Sequence, residues 1–323
     1  MPILPHVRQM WQKLSALGIA TTAMSRHKTG KRRSPKPQTV IQAVLATLAI
    51  VGTVLALIHP ADALQVQVTP IKPQLGDTLS VTIAADRASG IAPMVMLGNR
   101  TYAAFPVSDD RFRALLPTTP LDQPGTLKLR VSDSNETKEM VVPLRGRKFP
   151  TQSIWLPPSK NQDLSDFEFN RVDAFKKLVT PEKMWSGAFL KPNHGPITTI
   201  YGVRRYYNGK FANDYYHRGV DYAGDYGSPI IAPAAGRVVL VGQEAKGFVI
   251  HGNCIGLDHG QGVESIFLHL SRIKVKDGDV VKAGQVIGAL GGTGAATGPH
   301  LHWGLYVNGQ AIDPAPWRNQ GFE

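Results

Sequence analysis

Histidine and carboxylate side chains that could bind a metal ion lie in three segments of the C-terminal part of the sequence. These segments are His217-Arg-Gly-Val-Asp221, Phe267-Leu-His-Leu-Ser271 and Thr297-Gly-Pro-His-Leu-His-Trp303. If the last segment is a strand, His300 and His302 point the same way, because strand side chains alternate with a period of two residues. Such a pair can share one site.

The spacing of His217 and Asp221 would suit a helix, but Gly219 and Gly224 disfavour one. A loop or a strand end is therefore expected there. Two neutral imidazoles and one carboxylate form an open three-ligand set that leaves a coordination position for water, as in catalytic zinc sites. Each motif alone is a weak signal. The alternative is that these histidines are ordinary core or surface residues with satisfied hydrogen bonds.

Six motifs occur in a fixed order around these histidines, at Ile197–Arg204, His217–Ala223, Gly227–Gly236, His269–Ser271, Gly278–Gly288 and Thr293–His302. With them the chain resembles the lysostaphin-type zinc endopeptidases of bacterial cell walls, over roughly Gly187 to Pro316. The resemblance implies an antiparallel β-sheet peptidase domain, similar to a barrel-sandwich hybrid. It also implies peptidoglycan as the substrate.

Carried over position by position, the resemblance implies that His217, Asp221 and His302 hold Zn²⁺. His269 and His300 would then act beside the metal as the acid/base and transition-state-stabilising pair. Many relatives have Tyr where this chain has Phe267, so a tyrosine role would pass to Tyr215 or Tyr216 or be absent.

Two other functions compete with a zinc endopeptidase. One is a non-catalytic peptidoglycan-binding or amidase-activator module of the same fold, but degenerate relatives lose ligands and all five residues are present here. The other is a lipoyl- or biotinyl-carrier barrel, suggested by the turn pattern of Gly278–Gly288. Export and the histidine set argue against a carrier. Whether a D,D-cross-bridge or a glycine-rich bridge is cut, and which protein regulates the cut, stay open.

The elements that must position these residues are mostly strands. About seven short alternating segments between Leu64 and Arg147 predict an immunoglobulin-like β-sandwich, including single strands at Thr78–Ile83 and Thr101–Phe105. The sequence from 185 to 323 is Gly-rich and β-rich and forms the predicted peptidase domain. The fold class is therefore all-β dominated, with one short connecting helix.

The segment 148–184 is predicted to be a linker that contains a helix over 165–178. Ser165 and Glu168 make a capping box, and Phe169, Val172 and Phe175 follow helical spacing. Thr180-Pro181 predicts the N-cap of a second short turn.

The net charge of +12 over 323 residues would suggest a nucleic-acid partner until it is located. The stretch from residue 1 to 38 has eight basic side chains and no acidic one, whereas residues 64–323 have 28 basic and 23 acidic ones. The excess charge thus belongs largely to the leader, and we expect no nucleic-acid partner.

The leader 1–63 has the layout of a secretory signal. A basic stretch precedes the apolar run 40–58, and Ala61-Asp-Ala63 follows. Either the chain is cleaved after Ala63, or the run stays as an inner-membrane anchor. Both place the rest in the cell envelope, in the periplasm or the cell wall. The single Cys254 is expected to be a small buried strand residue.

Overall fold

A computed structural model describes residues 64–84, 91–158 and 163–322. The stretch from 61 to 323 is one compact unit. Among the described residues, no helix is long and apolar enough to cross a membrane. The predicted leader, with its apolar run 40–58, lies outside the described residues.

The N-terminal part is a sandwich of eight short strands, which are β1 Gln65–Thr69, β2 Thr78–Ala84, β3 Met94–Leu97, β4 Arg100–Ala103, β5 Phe105–Ser108, β6 Arg111–Pro117, β7 Gly125–Ser132 and β8 Thr137–Leu144. One sheet has the order β1-β2-β6-β5 and the other β4-β3-β7-β8. Lettered along the chain, these are the A-B-E-D and C′-C-F-G sheets of an immunoglobulin-like fold. Strand alternation builds the core, since Leu79, Val81 and Ile83 are all fully buried. The predicted all-β class is confirmed.

The predicted single strand Thr101–Phe105 is wrong in one respect. The chain forms β4 in one sheet and β5 in the other, and it crosses between them at the buried Ala104. Pro106 has no N–H to donate, and it lies in β5, an edge strand paired only with β6. This crossing gives eight strands where about seven were expected.

The connection between sandwich and peptidase domain differs from the predicted linker. Residues 148–160 include β9 (Thr151–Ile154), which pairs in parallel with β11 (Arg204–Tyr207). The helix α1 then spans Asp166–Lys176, and the Ser165 Oγ accepts a hydrogen bond from the Glu168 N–H at 3.2 Å.

The predicted capping box is only half formed. The Glu168 carboxylate is fully buried and accepts from the backbone N–H of His251 at 2.7 Å instead of returning to the N-cap. Because Glu168 occupies the inward face with Val172 and Phe175, Phe169 is left exposed, contrary to the expected packing face. No helix begins at Thr180. Its hydroxyl donates to Asp258 Oδ2 at 2.9 Å, which ties this segment to β16 (Cys254–Gly260).

The predicted peptidase domain is built on one large antiparallel sheet of order β10-β13-β21-β17-β16-β15-β19, with β22 paired to β21. Its strands are β10 Ile197–Thr199, β13 Val220–Ala223, β15 Gly236–Gly242, β16 Cys254–Gly260, β17 Val263–Leu268, β19 Val280–Val281, β21 His300–Val307 and β22 Gln310–Ile312. Two small sheets flank it, formed by β12 (Lys210–Phe211), β11 and β9, and by β14 (Pro229–Ile231), β20 (Val286–Ala289) and β18 (Arg272–Ile273). A second short helix, α2, spans Pro314–Asn319. Cys254 is buried in β16 as predicted, and burial raises the pKa of its thiol to about 12.

Buried polar contacts join the sandwich to the peptidase domain. Arg113 of β6 is 2% exposed, and its guanidinium donates to Gln261 Oε1 at 2.9 Å and to the Phe322 carbonyl at 3.1 Å. Arg147 forms an ion pair with Asp313 at 2.7 Å. Charged groups buried across a boundary need fixed partners, so the two parts hold one relative arrangement.

Candidate metal centre

The pairing of β13 with β21 brings one carboxylate and two imidazoles together. Asp221 lies opposite His302 in the register, and Ala223 lies opposite His300. His300 and His302 are two residues apart in β21 and both face Asp221, at 4.0 Å and 2.9 Å from its Oδ1. The strand expected for this His-x-His pair is present, and its alternation sets the geometry.

His217 lies in the loop that leads into β13. Its N–H donates to the Val203 carbonyl at 2.8 Å, which holds the loop against the preceding segment. Gly219 lets the loop pass close to β21, because a Cβ there would lie 2.3 Å from the carbonyl oxygen of Trp303 and 2.8 Å from His302 Nε2. The glycine between His217 and Asp221 is thus required by close packing.

Three ligand atoms converge at this point. His217 Nε2 lies 2.9 Å from Asp221 Oδ1 and 3.0 Å from His302 Nδ1, and His302 Nδ1 lies 2.9 Å from Asp221 Oδ1. All three side chains are buried. The structure therefore brings together the three residues that the resemblance implied as ligands.

The chemistry of these donors suits a divalent cation. The His217 Nδ1 lies 2.8 Å from the Ile200 carbonyl, which only accepts, so the proton is on Nδ1 and Nε2 presents a lone pair to Asp221. Facing lone pairs at 2.9 Å repel each other unless a proton or a cation lies between them. Two nitrogens and one oxygen that leave one side open are the donor set of catalytic Zn²⁺.

Two further histidines stand beside the ligand set. His300 Nδ1 lies 2.9 Å from the Gly298 carbonyl, and His269 Nδ1 lies 2.8 Å from the Thr293 carbonyl. Both imidazoles therefore donate from Nδ1 and keep a free lone pair on Nε2. Their ring centroids are 4.7 Å apart. The structure thus places the two predicted acid/base residues side by side.

His269 adopts a left-handed backbone conformation immediately after β17, with φ of 65°. Its N–H donates to the His251 carbonyl at 3.1 Å, which fixes this uncommon conformation. His251 is in turn held by Glu168 of α1, whose carboxylate accepts from His251 Nδ1 at 2.6 Å. A chain of hydrogen bonds therefore runs from the connecting helix to His269.

Burial sets the charge states of the site. Burial alone would raise the pKa of Asp221, but the adjacent imidazoles of His217 and His302 outweigh it and hold the pKa well below the usual range. Burial lowers the pKa of His302 to about 4, and burial beside His300 holds the pKa of His269 well below its usual value. At neutral pH His302 and His269 are therefore neutral imidazoles and Asp221 is an ionised carboxylate. Neutral histidine and ionised carboxylate are the forms that bind metal.

Residues of β11 complete the surroundings of Asp221. The Arg205 guanidinium lies 3.4 Å from Asp221 Oδ2, and it also donates to the Tyr207 hydroxyl and to Gln152 Oε1, both at 3.2 Å. Sequence reasoning missed these residues. Their placement depends on the parallel pairing of β9 with β11, a long-range contact for which the local sequence has no signal.

Phe267 and the two candidate tyrosines, Tyr215 and Tyr216, are packed in different ways. Phe267 is fully buried in the core. Tyr216 lines the groove, but its hydroxyl donates to the Ala311 carbonyl at 3.0 Å. Tyr215 also lines the groove, with its ring 5.8 Å from that of Tyr207.

A groove with a volume of about 820 Å³ contains the site. Asp221, His269, His300 and His302 all line it. Its walls also include residues of α1, of the segment before it, and of the sandwich loop at Thr119 and Leu121. The sandwich thus contributes to the groove that leads to the metal residues.

Comparison with known proteins agrees with this geometry. Residues 215–314 match Peptidase family M23. The chain belongs to peptidase family M23 through this domain. The peptidoglycan DD-endopeptidase ShyC of Vibrio cholerae is 44% identical over 98 residues, which are 30% of this chain and 22% of the relative. Lysostaphin of Staphylococcus staphylolyticus is 43% identical over 106 residues, 31% of this chain and 22% of the relative.

A solved structure extends the likeness beyond the M23 domain. A putative peptidase M23 from Pseudomonas aeruginosa is 28% identical, with a TM-score of 0.57, over 78% of this chain and 96% of that one. The curated relatives are much longer, and this chain spans only about one fifth of their length. The resemblance noted in the sequence is confirmed at the level of the family.

Proposed function

We propose that this chain is a zinc-dependent endopeptidase that hydrolyses peptide cross-links of bacterial peptidoglycan. The observation that carries the proposal is the convergence of His217 Nε2, Asp221 Oδ1 and His302 Nδ1 within 3.0 Å of one another, beside His269 and His300. A bound Zn²⁺ would supply Lewis-acid chemistry, lowering the pKa of water and polarising the scissile carbonyl.

The chain's own residues would move the protons. The Nε2 lone pair of His300 or His269 can take a proton from the attacking water. The resulting imidazolium can deliver that proton to the leaving amine, which restores the neutral histidine. The second imidazole of the pair can hydrogen-bond the oxyanion that develops on the carbonyl oxygen. The carbonyls of Gly298 and Thr293 keep both rings in the tautomer that this role needs.

The substrate proposal is supported by the relatives. One is named a peptidoglycan DD-endopeptidase and another lysostaphin, and both match the region that contains the site. A non-catalytic module of the same fold remains the second candidate. The retention of all three ligand residues and of both companion histidines favours the enzyme.

Digestion of purified sacculi by the full-length chain, with and without a chelator, tests the proposal. We expect cross-linked fragments to be cut only when metal is present. Mass spectrometry of the products distinguishes a D,D-cross-bridge from a glycine-rich bridge. Sacculi left intact under metal-replete conditions would favour the non-catalytic module.

We also propose that residues 64–323 act in the cell envelope, delivered there by the leader 1–63. The basic stretch and the apolar run 40–58 motivate this proposal. A reporter that is active only outside the cytoplasm, fused after Glu323, should be active. An inactive reporter in a stable, full-length fusion would contradict export.

A further inference from the structure

Two cations line the groove without a carboxylate partner. Arg218 directly follows His217, and Lys176 is the last residue of α1, and both side chains line the same cavity as the metal residues. Neither forms an ion pair with any residue in the part of the chain that the structure describes. Each contacts aromatic rings instead.

The other charges of the groove are already matched. Asp221 is engaged by His217, His302 and Arg205. Asp173, the remaining carboxylate of the lining, is paired with Lys177 at 2.7 Å. Once these groups are paired, Arg218 and Lys176 leave a positive charge in the groove.

Aromatic rings hold the two cations in place. The Arg218 guanidinium lies 5.3 Å from the ring centroid of Tyr215 and 5.9 Å from that of Tyr216. The Lys176 ammonium lies 5.2 Å from the ring centroid of Tyr306. These contacts limit side-chain motion while they leave the hydrogen-bond donors of both cations available.

The backbone of Arg218 and the ring that Lys176 contacts pack against the same residue of β21, Gly304. A Cβ on Gly304 would lie 3.0 Å from the Arg218 carbonyl oxygen and 3.1 Å from Tyr306 Cε2. The loop with Arg218 and the ring under Lys176 therefore pack on the same residue. Both cations line the groove that contains the metal residues.

We propose that Arg218, assisted by Lys176, binds a free carboxylate of the peptide substrate and sets its register at the metal site. The inference rests on the proposed function and names the substrate feature that the groove selects. The planar guanidinium offers two parallel N–H donors that match a carboxylate. Because Arg218 lines the same groove as His269 and His300, a carboxylate held there would fix which peptide bond lies against these histidines.

Equilibrium binding of purified cross-linked muropeptide dimers tests this inference without relying on hydrolysis. The dimers are used as free acids and after conversion of their carboxylates to carboxamides. Binding is measured by calorimetry in the full-length His269→Ala chain. A charge-assisted hydrogen bond lost on amidation should weaken binding about 10- to 100-fold. The Arg218→Gln change in the same background should bring the acid-to-amide ratio towards one.

Three comparison variants sharpen the test. Arg218→Lys keeps the positive charge but lacks the two parallel N–H donors of the guanidinium. It should retain part of the preference for the free acid. Lys176→Met, on an independent element, should reduce the preference by a smaller factor and decides the case if Arg218→Gln does not fold. Arg237→Gln removes an equal charge from an exposed position outside the groove and should leave the acid-to-amide binding ratio unchanged.

Two results would overturn the inference. One is an acid-to-amide binding ratio near one in the His269→Ala chain. The other is a ratio that stays unchanged after Arg218→Gln, in folded protein of normal zinc content. Failure of the proposed function has a different signature. In that case the unmodified chain would cut neither dimer, while the acid-to-amide binding ratio would still report on Arg218.

Discussion

The buried Glu168 of α1 should couple the stability of the connecting helix to the activity of the site. Its carboxylate accepts hydrogen bonds from the N–H of Ile250 at 3.2 Å, from the N–H of His251 at 2.7 Å and from His251 Nδ1 at 2.6 Å. The His251 carbonyl in turn accepts from the N–H of His269. Glu168→Ala removes the acceptor of two part-buried backbone donors, at about 1–3 kcal/mol each.

We therefore expect Glu168→Ala to lower the free energy of unfolding by about 3–5 kcal/mol, measured by urea unfolding of the full-length chain. Glu168→Gln keeps one acceptor oxygen and should cost about half as much. Asp166→Ala removes an exposed acid from the first turn of the same helix and should cost about 0.3–1 kcal/mol. The value of kcat should fall in Glu168→Ala without loss of zinc, because His269 loses its backbone support. A change below about 1 kcal/mol with normal kcat would refute the reasoning.

Three further predictions concern other buried groups. Replacing either His269 or His300 by Ala should leave zinc bound and reduce kcat by about 10²–10⁴-fold; near-normal cleavage of sacculi would remove that residue from the mechanism. Arg113→Met should destabilise the chain by about 1–3 kcal/mol, since it leaves the buried Gln261 Oε1 without this donor. The Phe322 carbonyl keeps its hydrogen bond from Trp185 Nε1. Unfolding followed by two probes should remain one transition, and two separate transitions would contradict a joined sandwich and peptidase domain. Burial lowers the pKa of His259 from 6.5 to about 4. The unfolded chain therefore binds this proton first, and His259 alone should contribute a loss of about 3 kcal/mol of stability as the pH drops from about 6.5 to about 4. His259→Gln should flatten this loss, and an unchanged pH profile would count against it.

Local sequence patterns correctly predicted those strands and helix ends that are set by side-chain alternation or by a capping residue. Alternation in Thr78–Ile83 identified β2, and the Ser165 cap identified the start of α1. The pattern could not show that Phe105 begins a strand in the opposite sheet from Arg100, because that choice depends on which neighbours each strand pairs with.

The site was predictable to the extent that its residues lie in recognisable motifs. The His-x-His alternation placed two imidazoles on one face, and the resemblance assigned Asp221 and His217 to the same ion. The sequence could not predict the positions of Arg205 and Glu168 near the site. Both depend on contacts between segments that are far apart in sequence, namely the parallel pairing of β9 with β11 and the contact of α1 with His251. The Glu168 case also shows how a tertiary partner can override a local capping rule.

Elemental analysis of the purified full-length chain tests the central claim most directly. The account predicts about one zinc per chain for the unaltered sequence, and a loss of that zinc in both Asp221→Ala and His302→Ala. Folding of each variant is checked by its far-ultraviolet circular dichroism. Unaltered protein without stoichiometric metal after zinc loading, or variants that keep it, would contradict a metal centre at His217, Asp221 and His302.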